Sequence, residues 1–112
     1  MSQVREIELT IEEAKKKIEK KNKLLQLIDN PLFDEIITKG YFELEPQRLA
    51  VISAEPSLLD ADSQKNIAIR LQSIGFLRQY FLNIRREAAM AEKAIADGEE
   101  ELTAIRQEEV GG

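Results

Sequence analysis

Residues 74–105, "IGFLRQYFLNIRREAAMAEKAIADGEEELTAI", decide the fold. Ile74, Leu77, Phe81, Ile84, Ala88, Ala91, Ile95, Gly98, Leu102 and Ile105 follow one another in alternating steps of three and four. That spacing draws one apolar line along an α-helix and defines a heptad seam. Upstream, Ile67 and Leu71 fall slightly out of this phase, which predicts a change of packing partner there. No proline interrupts residues 61–109, so a single helix is expected over that range, with Asp60, Asp62 and Ser63 all offering caps. A helix of ~48 residues is ~70 Å long at the α-helical rise, more than a small globule spans, so it must extend from a body or pack along another helix.

Working outward, the N-terminal third carries a second seam. Val4, Ile7, Ile11, Ala14, Ile18, Leu25 and Ile28 share one face, and Lys21 stands where the next apolar residue belongs. One helix is expected from about residue 3 to 29, in preference to a start at the Thr10–Glu13 capping box. Asn30-Pro31 ends it, because the residue before proline is pushed out of the helical region. Asn30 and Pro31 also open a short helix to about Lys39, with Gly40 as its left-handed stop. Tyr41 and Phe42 then lie on a tight connection. Pro46 starts a second short helix to about Ala54 with Leu49 and either Ile52 or Val51 inward, and Leu58 and Leu59 tuck into the core from the following loop.

All six aromatic residues (Phe33, Tyr41, Phe42, Phe76, Tyr80, Phe81) lie between positions 33 and 81. The expected fold is therefore all-α. It is a long antiparallel two-helix hairpin, or coiled-coil stalk, with a small knot of two short helices at the connecting end. The chain reads as one helical domain: helix 3–29, short helices and turns over 30–60, and helix 61–109. In the simple hairpin register Ile11 falls near Ala88 and Leu25 near Ile74. The acidic run 97–109 then lies beyond the Lys block 15–23, so part of the stalk is expected to face another subunit or partner.

Composition narrows function. There is no histidine and no cysteine, which removes imidazole acid–base catalysis, thiolate nucleophiles, disulfides and Cys/His zinc sites. No phosphate loop or serine–base pair emerges, and the contiguous Glu99, Glu100 and Glu101 point in different directions on a helix. No enzymatic activity, cofactor, metal or small-molecule substrate is expected. A net charge of −5 disfavours nucleic acid, whose binding leans on cations. No apolar run reaches membrane-spanning length, and the charged N-terminal stretch lacks a signal-peptide core, so a cytoplasmic location is expected.

Several residues stand out as candidates for protein contact. Lys15, Lys16, Lys17 and Lys20 form a basic flank that is either an electrostatic partner site or a solvated coiled-coil face. Arg78, Tyr80, Arg85 and Arg86 line the long helix where knot becomes stalk. Arg and Tyr are favoured at interfaces, and pairing with local carboxylates is the alternative. Gly75, costly inside a helix, predicts a close-packed neighbour, with a hinge or notch as the alternative. Asn30, Pro31, Gly40, Tyr41, Phe42, Gly75 and Phe81 are the expected structural residues of the knot.

The stretch from residue 24 to 102 resembles small helical proteins encoded by tailed bacteriophages. The pattern is Asn30-Pro31 and Phe33, then Gly40-Tyr41-Phe42 and Arg48-Leu49. Farther on come Ile74-Gly75, Gln79-Tyr80-Phe81 and Met90-Ala91-Glu92. The resemblance implies a helical hairpin of phage origin and carries no activity or ligand residues; the N-terminal heptads lie outside it. The expected role is a phage structural or assembly accessory protein, located in the host bacterial cytoplasm or carried in the virion. Such a protein would self-associate or bind a larger virion component. A small regulator binding a host enzyme or defence protein is the alternative, and a nucleic-acid-associated factor using the Lys block is a weaker one.

Overall fold

The structure, a computed structural model, describes residues 2–111. Among these the chain is all-α, with no strand. Helix α1 runs Ser2–Ile28, α2 Pro31–Phe33, a π-helix Asp34–Leu44, α3 Glu45–Ser53, a 3-10 turn Pro56–Leu58, and α4 Ala61–Gly111. The contacts fall into two compact units, Met1–Lys23 with Asn83–Gly112, and Leu24–Leu82.

In the first unit α1 and α4 form an antiparallel helical hairpin. Ile7, Ile11 and Leu102 are buried together, with Val4, Ile95 and Ile105 packed against them. Residues early in α1 thus meet residues late in α4. Thr10 lies within α1 and its hydroxyl donates to the Glu6 carbonyl, so it caps nothing. The register differs from the simple hairpin. Ile11 stands against Gly98, ten residues beyond the expected Ala88. The cause is sterically plain: glycine leaves room for the branched side chain, and Ala88 and Ala91 are buried as small seam residues farther along. Lys21 Nζ reaches Glu92 Oε1 at 3.3 Å, tying that seam position to the middle of the α4 stalk.

The second unit is built around Leu49, Ile67 and Ile74, with Tyr41, Phe42 and Ile52 against them. Asn30 is extended (φ −68°, ψ 124°), and its side-chain oxygen accepts the Leu32 N–H at 2.9 Å, with Pro31 in the first turn. This is the standard use of an Asn-Pro pair. At the other junction Asp60 accepts the Ser63 N–H at 2.9 Å and opens α4. The Gln64 amide donates to the Ser53 and Leu58 carbonyls at 2.9 and 2.8 Å, tying down the turn between α3 and α4.

Several expectations change here. Gly40 stops nothing: no described glycine has a positive φ, and Gly40 lies inside the π-helix. Its role is spatial, because a Cβ there would stand 3.0 Å from the Glu35 carbonyl oxygen, five residues back. The helical path consequently continues through Tyr41 and Phe42, where a tight connection was expected. Ile67 is in phase after all, seven residues before Ile74 and buried with it, while Leu71 is exposed. Leu59 is exposed, and Leu58 alone turns inward. Phe76 leaves the aromatic group, which is centred on Phe81. The Phe33 and Phe42 rings lie 6.1 and 5.9 Å from Phe81, the latter edge-on.

Candidate interaction surface

Within the second unit, α4 carries a buried line through Ile67, Ile74, Leu77 and Phe81. A residue two positions on from a buried one lies about 200° round the helix. Phe76 therefore points away from Ile74, and it is 73% exposed. Ile69 and Tyr80 share its side of the helix and are 51% and 50% exposed. With Ser73 they form a second line, Ile69–Ser73–Phe76–Tyr80, in steps of four, three and four. That is the spacing of a helix–helix seam, and here its four residues are exposed.

Two details suit this line to burial against another helix. The Ser73 hydroxyl already donates to the Ile69 carbonyl at 2.9 Å, so covering it strands no polar group. And from Leu71 through Ile84 Arg78 is the only charged residue, lying off the line toward Leu71 and Leu82. Tyr80 also leans on Phe81, ring centres 6.0 Å apart, which fixes its ring at the edge of the aromatic group. Exposed aromatic and aliphatic groups on a rigid helix are the usual anchors of protein contacts.

The residues singled out from sequence are divided between the two units. Lys15, Lys16, Lys17 and Lys20 project from α1 in the first unit and are exposed. Part of that charge is answered on the same helix: Lys16 bonds Glu13 at 3.0 Å and Lys23 meets Glu19 at 3.7 Å. The Glu13 hydrogen bond and charge raise the Lys16 ammonium above its ordinary value. Arg85 and Arg86 are exposed on α4 in the same unit, whereas Arg78 and Tyr80 belong to the second. Gly75 is exposed with nothing within 4 Å of a Cβ, so no described residue packs on it. The residues of the exposed line that sequence reasoning passed over are Ile69 and Phe76. Their signal was a seven-residue spacing outside the dominant seam, interrupted by Ser73.

Other features offer less chemistry. Leu49, Ile52, Leu58 and Ile67 line a mostly apolar hollow with Arg70 at its edge. No group of three or more carboxylates among the described residues converges on a metal position. Glu45 and Arg48 form a bidentate pair one helical turn apart that lowers the Glu45 carboxyl. No described helix is long and apolar enough to cross a membrane. In comparisons with known protein families, curated proteins and solved structures, the chain matches none.

Proposed function

We propose that this chain is a non-enzymatic protein-interaction module whose contact surface is the uncovered Ile69–Ser73–Phe76–Tyr80 line of α4. The observation that carries this reading is Phe76, an aromatic side chain 73% exposed in the middle of a regular helix. Exposing such a line costs solubility unless a partner covers it. The lack of His and Cys supports a binding role over a catalytic one. The resemblance to small phage-encoded helical proteins makes the specific form of this reading a virion structural or assembly accessory protein. A regulator of a host protein would use the same surface.

The test is in-cell crosslinking with a photoreactive amino acid in place of Phe76, compared with the same group at Gln47, exposed on α3. The reading expects a discrete crosslinked species from position 76 that is absent from position 47. Equal, diffuse labelling from both positions overturns it.

A further inference from the structure

We propose that the hollow between α3 and the start of α4 binds a small aliphatic carboxylate, its chain on the apolar walls and its carboxylate on the Asn66–Arg70 rim. This site goes beyond the Phe76 surface and does not depend on it. Leu49, Ile52, Leu58 and Ile67 form the walls, and the space is about 170 Å³. An apolar cavity of about 150 Å³ admits a benzene ring, so the space suits about six carbons. Its floor is Leu49, the 1% exposed centre of the second unit. Its wall is tied down as well: the Gln64 amide donates to the Ser53 and Leu58 carbonyls at 2.9 and 2.8 Å. The hollow is thus formed before any ligand arrives, as small-molecule sites usually are.

The rim is polar and cationic. Arg70 Nε donates to Asn66 Oδ1 at 3.1 Å, one turn back on α4. That bond occupies the Asn66 oxygen and leaves its amide N–H groups to donate. The Arg70 Nη groups make no ion pair among the described residues. The carboxylates around the rim are already engaged. Glu45 is held low first by its hydrogen bonds to Arg48, and only last by the charge of Arg70. Asp60 accepts from the Ser63 hydroxyl and N–H, so Ser63 is spent on that cap. An amine would meet like charge at Arg70, and an alcohol would forgo the charge-assisted hydrogen bond. A carboxylate is the planar partner that a guanidinium fork receives best. A free short-chain acid and the C-terminal leucine of a peptide present these same groups.

The full-length chain, labelled with 15N, is titrated with sodium hexanoate, N-acetyl-leucine and hexan-1-ol and followed by NMR. The acids should give saturable shifts at Leu49, Ile52, Leu58 and Arg70. Hexan-1-ol should bind at least about tenfold more weakly, the discrimination that one hydrogen bond to a charged group supplies. Arg70→Gln, at an exposed position, should weaken hexanoate by the same factor and keep the folded spectrum. Arg86→Gln, an exposed arginine of the other unit, should leave binding unchanged. The tighter of the two acids identifies the source: hexanoate a free acid, N-acetyl-leucine a chain terminus. No saturable shift at the hollow from either acid overturns the site. Hexan-1-ol binding as tightly as hexanoate, or hexanoate binding undiminished in Arg70→Gln, overturns the carboxylate assignment. None of these outcomes touches the crosslinking result at Phe76.

Discussion

Gly98 of α4 lies directly beneath Ile11 of α1: a Cβ added to Gly98 would sit 3.1 Å from both Ile11 Cγ1 and Cδ1. This contact sets how closely the two helices of the hairpin approach and in which register. It also separates three glycines that look alike in sequence. At Gly75 a Cβ meets nothing, so Gly75→Ala should raise monomer stability by about 1 kcal/mol through helix propensity alone. At Gly98 the same gain is offset by the tight contact, whose far side is a flexible side-chain end; Gly98→Ala should be near neutral, and Gly98→Leu should cost roughly 1–3 kcal/mol. At Gly40 the obstacle is the backbone carbonyl of Glu35 at 3.0 Å, so Gly40→Ala should destabilise. Urea unfolding of the four variants at low concentration checks the order.

Lys21 occupies a seam position with its side chain only 24% exposed and reaches Glu92 across the hairpin. Glu92 is well exposed, so the pair itself should contribute under about 1 kcal/mol in a double-mutant cycle. Lys21→Leu completes the apolar line and should raise stability by about 1 kcal/mol. It should also blur register, since a polar residue at one seam position restricts the alternatives. A higher melting temperature with broadened backbone NMR signals in residues 15–23 is the expected outcome. A lower melting temperature would show that the salt bridge dominates.

Leu49 is 1% exposed at the centre of the second unit, whereas Val51, two residues on, is 68% exposed. Leu49→Ala should cost about 2–5 kcal/mol by opening a cavity. Val51→Ala should change stability by less than about 0.5 kcal/mol. Comparable losses from both would place α3 on the wrong face.

Hydrogen bonds from the Ser63 hydroxyl and backbone N–H hold the Asp60 carboxyl below its ordinary value. A carboxyl depressed in the folded state contributes its full stabilisation above its unfolded pKa and loses it as pH falls through its folded pKa. Asp60→Asn keeps a capping oxygen but cannot titrate. Thermal unfolding from neutral to strongly acid pH should therefore fall more steeply for the native chain than for Asp60→Asn. Parallel curves would mean that the cap carries no charge-dependent stability.

The two long helices and their caps were legible because heptad spacing, Asn30-Pro31 and Asp60 act locally. The register was not, because it depends on a long-range fit: Gly98 under Ile11 outranks the loop-length estimate that placed Ala88 there. The π-helix escaped for a related reason. Its wider turn rests on backbone hydrogen bonds five residues apart, including Glu45 N–H to the Gly40 carbonyl, and α-periodic counting turns Gly40-Tyr41-Phe42 into a false turn. The surface was half legible. Tyr80 and Arg78 are legible as interface residue types, while Phe76 carries no such signal because it sits among aromatics close in sequence.

The central claim, that the Ile69–Ser73–Phe76–Tyr80 line is a protein contact surface, is tested most directly by photo-crosslinking in cells from position 76 against the exposed α3 position Gln47. A discrete crosslinked species from position 76, absent from position 47, is the predicted result. Equal, diffuse labelling from both positions contradicts it.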